Sequence, residues 1–544
     1  MDNKIPKDYL GGLLENWKTD IPAGFSIFLI AMPLCIGIAI ASGAPPLAGI
    51  LSGIVGGIIA SLLSGSYVTI NGPAAGLIVI VLGSIDALGH GDRMLGFKYT
   101  LAAIFISGLL QILMGILGLG VIASIFPSAV IHGMLAAIGV IIISKQFHVA
   151  LGVAPQAKTV VGLIKEIPES IIHLNPKIAL IGIISITILA IYPLIKSKIT
   201  KLIPGPLVLV VIGSVMAYYL NIKEEHYYEF FNTQYFISRN YMVSIPDKIF
   251  NPEIRPDFSI IYSPIFLLQI FSITMVASIE TLLTANAIDK LDPFKRRTKM
   301  NLELMGKGLG NSILGLIGGI PIIAEVVRSS ANINNGARTR WSNFFHGIFL
   351  LLAVIFLQPI IEMIPLSALS GMLVVVGYRL AAPEIKKILI SGFDQFLIFF
   401  TTITLTLVDD LLVGVMVGVM VNFILHIINT ILPDGVTMND FFRPDYTKEE
   451  IKDGEKVVEI KYHLKGLLIF LNYLFLKIEL ERQAPDVNIS LDLRDLRLID
   501  NTVNENLNEY EKLYREQGRI FRFEGLERSR SLSRESSAGR KIER

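Results

Sequence analysis

The chain has 544 residues, of which 52% are hydrophobic and only 17% are charged. Because soluble globular proteins carry about 25% charged residues, this composition argues against a water-soluble enzyme. The net charge of +2 gives no indication of nucleic-acid binding. The single cysteine, Cys35, excludes an intramolecular disulfide and a cysteine-based metal cage.

Charged residues are concentrated toward the carboxyl terminus, which indicates a membrane domain followed by a soluble one. We predict a cytoplasmic N-terminal segment over 1–19, a transmembrane domain over 20–430, a small α/β domain over 440–525 and a disordered Arg/Ser-rich tail over 526–544. The apolar stretch from Ile21 is long enough to cross a bilayer. It is therefore predicted to be the first transmembrane helix and not a cleaved signal.

Apolar runs of about 17–25 residues mark the spans of the membrane domain. Twelve full spans are predicted near 21–42, 46–63, 98–118, 129–147, 178–195, 206–220, 261–286, 302–318, 343–361, 366–378, 393–408 and 411–430. Two further segments, 66–88 and 318–336, begin with extended-looking residues, carry a proline and continue as an apolar helix too short to cross alone. Counted as half-spans, they give fourteen elements, seven in each half.

The loops between these spans alternate in their content of Lys and Arg, as the positive-inside rule requires. With the N-terminus inside, the basic cytoplasmic loops are 196–201, 289–300, 337–340 and 378–387. Because each half has an odd number of elements, the second half is inverted relative to the first. The two half-spans then occupy corresponding positions.

Paired interrupted spans in an inverted repeat indicate a transport site. Unwound backbone cannot face lipid, because its unpaired polar groups are costly there, so both segments are expected to line a protected cavity. In such a cavity the N–H groups of two helix N-termini can bind an anion. The alternative is that Pro and Gly only kink two ordinary helices, and the symmetric placement argues against it.

The C-terminal region alternates short apolar runs with amphipathic stretches, which predicts a small α/β module. Strands are predicted over 456–463, 466–472, 487–495 and 519–525, with helices over 472–483 and around 501–517.

Four segments resemble the SulP family of sulfate-permease-like inorganic anion transporters: 20–50, NGPAAG at 71–76, SIETLLTANAID at 278–289 and RSSANINNGARTR at 328–340. The C-terminal module resembles the STAS domain of these proteins, with LDLRDLRLID at 491–500 as its signature. The resemblance implies an all-α polytopic membrane protein, a 7+7 inverted repeat of core and gate domains with two half-helices, plus a cytoplasmic α/β STAS-like domain. It also implies a homodimer in the plasma membrane, here a bacterial inner membrane, with cytoplasmic termini and a possible cytoplasmic partner for the STAS-like domain.

By this resemblance the anion lies between the starts of the two half-helices. The residues expected around it are Leu34, Ile38, Ala74, Ala75, Gly76, Ala324, Glu325, Val326 and Arg328. The small residues after Pro73 offer only backbone N–H groups, and Ala324, Glu325 and Val326 are expected to open the second half-helix. Glu325 departs from the family pattern and would repel an anion, so it either faces away or is protonated when the anion binds. Arg328 either raises the positive potential at the site or forms a structural salt bridge to Glu325 or Glu280.

Glu280 lies in an otherwise apolar span, and an intramembrane carboxyl group is a candidate proton carrier. In the family pattern it is the coupling residue, with Thr284 one turn further on the same face. Glu280 and Thr284 could instead hold Na⁺ through oxygen ligands, and the sequence leaves H⁺ and Na⁺ both open. Alternatively, a neighbouring Arg satisfies the acid. No cofactor and no other metal is expected.

Together these features predict a secondary active transporter of a small inorganic anion, of the bicarbonate or sulfate class, coupled to H⁺ or Na⁺ and working by alternating access. Two alternatives stay open. A nucleobase–cation symporter of the same architecture would need acidic or amide side chains to bind a base. A non-transporting membrane receptor would signal through the STAS-like domain. An enzyme is not expected, because the sequence has no metal cluster, nucleophile–base pair or phosphate-binding loop in its proper context.

Overall fold

The computed structural model describes residues 5–157, 159–195, 203–245, 254–388, 392–409, 411–434, 438–453, 456–483, 487–516, 518–525, 529–531 and 539–542. The chain forms two compact units. One comprises Met1–Gly120 with Ile138–Leu380, and the other Val121–Ala137 with Ala381–Arg544. The predicted loop at 196–201 lies outside the described residues.

The first half of the membrane domain contains six of the predicted full spans and one broken span. In chain order these are α1 (Tyr9–Ala41), α2 (Pro46–Leu63), the strand β1 (Ile70–Gly72) with the half-helix α3 (Ile78–Gly89), α4 (Arg93–Ile116), α5 (Ser128–Ala150), α7 (Pro176–Ile191) and α8 (Gly205–Tyr219). An additional amphipathic helix, α6 (Val160–Ile172), and a hairpin of β2 (His226–Phe230) and β3 (Thr233–Ile237) were not predicted.

The second half repeats this order. It contains α9 (Pro264–Leu291), α10 (Met300–Ile317), the strand β4 (Ile323–Glu325) with the half-helix α11 (Val326–Asn334), α12 (Trp341–Phe356), α13 (Leu366–Ile388), α14 (Phe393–Val408) and α15 (Leu411–Asp434). Eight helices of the described chain are long and apolar enough to cross a membrane. The fourteen-element order, with a broken span third in each half, is confirmed in the described residues.

Helix α1 begins at Tyr9, well before the span predicted from residue 21. One polar residue of this extension, Asp20, is buried and is satisfied by tertiary contacts of its carboxylate. It accepts hydrogen bonds from the backbone N–H groups of Arg338 at 2.8 Å and Thr339 at 3.2 Å. Those partners are remote in sequence, so the local pattern alone could not place the helix start.

The C-terminal domain is a mixed sheet with two helices. Its elements are β5 (Asp445–Asp453), β6 (Lys456–Leu468), α16 (Phe470–Glu481), β7 (Asn488–Ile499), α17 (Asn501–Glu516) and β8 (Phe521–Glu524). Strand β6 pairs antiparallel with β5 and parallel with β7, which also pairs parallel with β8. The two strands predicted over 456–463 and 466–472 are one strand, β6, whose register shifts at its middle, and residues 470–472 begin α16.

Two short strands lie in the segment predicted to be a disordered tail. β9 (Ser529–Ser531) and β10 (Arg540–Ile542) pair antiparallel with each other, and β10 pairs with the end of β7. For these residues the prediction of disorder is wrong, because the free edge of β7 supplies backbone partners that composition does not reveal. The intervening residues 532–538 lie outside the described part of the chain.

Candidate functional site

The two broken spans meet in a two-stranded antiparallel ladder. Strand β1 pairs with β4 in the register Ile70↔Glu325, Asn71↔Ala324 and Gly72↔Ile323. Strand β4 leads directly into α11, and β1 leads into α3 through Pro73, Ala74 and a 3₁₀ turn over Ala75–Leu77. Because the strands are antiparallel, the half-helices leave the ladder in opposite directions, as an inverted repeat requires.

Buried side chains satisfy the backbone of these extended segments. Asn311 of α10 accepts a hydrogen bond from the N–H of Ile322 at 2.7 Å and donates to its carbonyl at 3.3 Å. Ser329 accepts from an N–H of β1 at 2.8 Å, and Asn332 donates to the carbonyl of Val68 at 2.9 Å. Unwound backbone at this depth is therefore paired within the protein, which is the condition for its survival in a membrane.

The first half-helix begins without a side-chain cap. Ala74 is extended, Ala75–Leu77 form a 3₁₀ turn, and α3 continues from Ile78. Ala74, Ala75 and Gly76 are all buried. The first N–H groups of a helix have no acceptor within the helix, so a solute at this start can be bound by backbone alone.

The second half-helix begins differently from the prediction. Ala324 and Glu325 belong to strand β4, and the helix begins at Val326 with Glu325 as its N-cap. The expectation that all three residues open the helix is wrong for Ala324 and Glu325. Both are held extended by their pairing with β1.

The Glu325 carboxylate turns back onto the start of its own helix. Its Oε2 accepts a hydrogen bond from the backbone N–H of Arg328 at 2.6 Å and lies 3.8 Å from Arg328 Nε. The two interpretations of Glu325, that it faces away from the anion or is protonated when the anion binds, stay predictions. The Glu325 carboxylate turns back in this way because a side chain at the N-cap can accept a hydrogen bond from the backbone N–H three residues ahead.

The Arg328 guanidinium is buried and links three elements. Its Nη2 donates to the carbonyl of Pro73 at the end of β1, and its Nη1 lies 3.5 Å from Cys35 Sγ in α1. A Cβ at Gly72 would lie 2.6 Å from Nη1, so a larger residue at this position would displace the guanidinium. With Glu325 nearby, this geometry supports the structural salt bridge that was one of the two interpretations of Arg328.

The Glu280 carboxyl group lies against the start of the first half-helix. A Cβ at Gly76 would lie only 1.9 Å from Glu280 Oε1. The Glu280 side chain is buried, and Oε1 has no hydrogen-bond partner among the described residues. No ion pair joins Glu280 to an Arg or Lys within the described chain, so the interpretation of an acid satisfied by Arg finds no support there. Thr284, one turn along α9, is also buried.

Leu34 and Ile38 flank Cys35 in α1, and both are buried. Because Cys35 contacts Arg328, this part of α1 adjoins the second half-helix. Sequence reasoning missed three residues that shape the site: Cys35, Gly72 and Asn311. Gly72 stands within the NGP motif, and Asn311 is a polar residue in a largely apolar helix, so both left a visible signal.

Two inverted half-helices that meet at a buried polar ladder define an inverted-repeat transporter fold. Residues 17–402 match the model of the Sulfate permease family, and the chain belongs to that family.

The chain is similar to individual proteins in sequence and to solved structures in fold. YvdB of Bacillus subtilis (strain 168) is 29% identical over 423 residues, which are 77% of this chain and 75% of that protein. Bicarbonate transporter BicA of Picosynechococcus sp. is 28% identical over 404 residues, 74% of this chain and 68% of that protein. The transmembrane domain of a cyanobacterial BicA superposes with a TM-score of 0.65 at 24% identity, covering 76% of this chain and all of that one. SLC26A9 superposes with a TM-score of 0.65 at 15% identity, covering 94% and 84% of the two chains.

Proposed function

We propose that this protein is a secondary active transporter of a small inorganic anion of the bicarbonate or sulfate class, driven by H⁺ or Na⁺. Family membership supports anion transport, and the name of the relative BicA supports bicarbonate as one candidate substrate. In this proposal the protein is a homodimer in a bacterial inner membrane, with both termini in the cytoplasm and a regulatory or partner-binding STAS-like domain.

The observation that carries the proposal is the position of Glu280. Its buried carboxyl group lies against Gly76, at the uncapped start of the first half-helix. An ionised carboxylate and a bound anion at this place repel each other strongly in a medium of low dielectric constant. Neutralisation of Glu280 by H⁺, or by Na⁺ held with the Thr284 hydroxyl, removes this repulsion. Anion and cation therefore favour each other's binding, which is the energetic requirement for symport.

The ladder between β1 and β4 explains how the site could stay intact during alternating access. Arg328 binds the Pro73 carbonyl from the opposite broken span, so the two half-helix starts are joined by side-chain as well as backbone hydrogen bonds. In the proposed cycle both starts move together with the anion, and access changes around a site of fixed geometry.

The decisive experiment is uptake into proteoliposomes that contain the purified protein. Radiolabelled bicarbonate and sulfate are supplied with and without an inward Na⁺ gradient, at two external pH values, and with uracil as a competitor. We expect one of the two anions to accumulate above its external concentration under a cation gradient, with no inhibition by uracil. The absence of uptake of any anion would contradict the proposed function.

The Glu280→Gln variant tests the coupling step in the same vesicles. It removes the titratable, cation-binding group while nearly conserving its size, so accumulation against a gradient should be lost while anion exchange persists. Glu229→Gln, an exposed acid on the β2–β3 hairpin, is the matched control and should behave as the unmodified protein. A Glu280→Gln protein that still concentrates its substrate would remove Glu280 from the mechanism.

A further inference from the structure

The starts of the two half-helices are not equivalent. The first begins at Ala75, and its N-cap residue Ala74 offers no side-chain cap, whereas the second is capped by the Glu325 carboxylate, 2.6 Å from the Arg328 backbone nitrogen. A helix N-terminus carries roughly half a positive charge and attracts anions. At the second start the chain itself supplies that anion, so a solute finds only the first start open.

A second observation indicates that a ligand binds at the open start. Glu280 Oε1 is buried, has no hydrogen-bond partner among the described residues, and points at Gly76. A buried polar atom of this kind normally has a partner, and here a solute or its coupling cation would provide one. The open start and the unpartnered carboxyl group thus lie at the same place.

The charges around this place favour a solute with one negative charge. Arg328 and Glu325 carry opposite charges 3.8 Å apart and largely cancel. Once Glu280 is neutralised by its coupling cation, the open helix start is the remaining positive feature. By cancelling the charge of Arg328, Glu325 removes an attraction that would be twice as strong for a divalent anion as for a monovalent one, because the Coulomb energy scales with the charge of the solute.

We propose that Glu325 is a specificity-determining residue, which makes this site select monovalent anions such as bicarbonate over divalent anions such as sulfate. The inference rests on the proposed function for the location of the anion. It differs from a purely structural role of Glu325, in which the carboxylate only caps α11 and affects all anions alike.

The test measures binding separately from transport. A ligand that binds only the folded state stabilises it by RT ln(1 + [L]/Kd). The rise of the melting temperature with anion concentration in the detergent-solubilised protein therefore gives the concentration at half-saturation. Bicarbonate and sulfate are compared first. Methyl sulfate and sulfate form the second pair, since they share a tetrahedral centre and differ in charge.

For the unmodified protein we expect both monovalent anions to bind more tightly than sulfate. Glu325→Gln keeps an oxygen that can accept the Arg328 N–H, so the cap is conserved while the charge is lost. It should lower the half-saturation for sulfate by about tenfold or more, and that for the monovalent anions by a clearly smaller factor. Glu325→Ser, a second neutral cap, should give the same shift if the glutamine variant is poorly folded. Glu325→Asp keeps the charge and should keep the selectivity.

Several results would overturn the inference. One is tighter binding of sulfate than of methyl sulfate by the unmodified protein. Another is a Glu325→Gln variant whose half-saturation values change equally for all anions, or do not change. The last is that no anion stabilises any variant. Monovalent-selective binding that depends on Glu325, without uptake into vesicles, would support the inference and contradict the proposed transport. Uptake of an anion with no effect of Glu325→Gln on anion binding would support the proposed transport and contradict the inference about Glu325.

Discussion

Replacing Arg328 with methionine tests whether the two broken spans depend on a buried charge. Methionine fills much of the space of the arginine stem but removes the guanidinium. The variant loses the hydrogen bond to the Pro73 carbonyl and leaves the Glu325 carboxylate without its counter-charge. We therefore expect Arg328→Met to loosen the contact between the two half-helix starts.

The size of the effect follows from the geometry. Unit charges 3.8 Å apart attract by about 4 kcal/mol at an effective dielectric constant of about 20. Removal of one partner from a buried pair typically costs about 3–5 kcal/mol, because the other charge stays buried. The lost hydrogen bond to the Pro73 carbonyl, which contributes about 1.5–3 kcal/mol as a bond of a charged group, is counted as part of this cost and is not added to it. At about 2.1 cal/mol/K per residue, a chain of 544 residues has an unfolding entropy of about 1.1 kcal/mol/K, which predicts a melting temperature lower by about 3–4 °C.

The assay is thermal unfolding of the detergent-solubilised protein, with the double variant Arg328→Met/Glu325→Gln beside the two single variants. Because the double variant has no unpaired carboxylate, it should recover at least half of the loss seen in Arg328→Met. Arg239→Met, an exposed residue next to the β2–β3 hairpin, is the control and should melt as the unmodified protein does. Losses that simply add in the double variant would show that Arg328 and Glu325 do not act as a pair.

Two further predictions concern other residues. Gly76→Ala places a methyl group 1.9 Å from Glu280 Oε1 and should abolish uptake into vesicles, whereas Gly83→Ala, with no neighbour within 4 Å, should retain it. Equal uptake by both variants would contradict the close approach of Glu280. In the C-terminal domain, the Arg494 guanidinium holds the pKa of Asp492 well below its usual range. Asp492 therefore stabilises the folded domain above the unfolded pKa of about 3.9, and this contribution fades as the pH falls. Relative to the unmodified protein, the Asp492→Asn variant should be cleaved more readily by pepsin at pH 4, and this difference should shrink toward pH 2. A ratio of the two cleavage rates that stays constant between pH 4 and pH 2 would refute the stabilising role of Asp492.

Sequence reasoning found the site because its signals are local. A proline after a few extended residues, followed by a short apolar helix, occurs in both halves, and an isolated acid in an apolar span is easily seen. These signals led to 66–88, 318–336 and Glu280, and the structure brings the two broken spans together at the β1–β4 ladder. Glu280 lies beside the first of the two helix starts.

What the sequence did not reveal depends on contacts between remote residues. Gly72 and Gly76 are both visible in NGPAAG, but the groups that occupy the space beside them, Arg328 and Glu280, come from the second half of the chain. The direction of Glu325 also depended on tertiary structure. The pairing of β4 with β1 keeps Glu325 extended and so makes it a cap, whereas the family resemblance implied a place in the first turn of the helix.

The two helix starts combine a symmetric scaffold with asymmetric chemistry. An inverted repeat supplies two equivalent N-termini, and two open N-termini would suit a doubly charged solute. Here one of them is used by the protein: Glu325 caps it, and Arg328 ties it to the opposite broken span. The other has no side-chain cap and is approached by Glu280, whose charge can be neutralised by a cation. One start therefore holds the ladder together, and the other is the start at which we propose that the solute binds. This division follows from two glutamates that fold symmetry does not require.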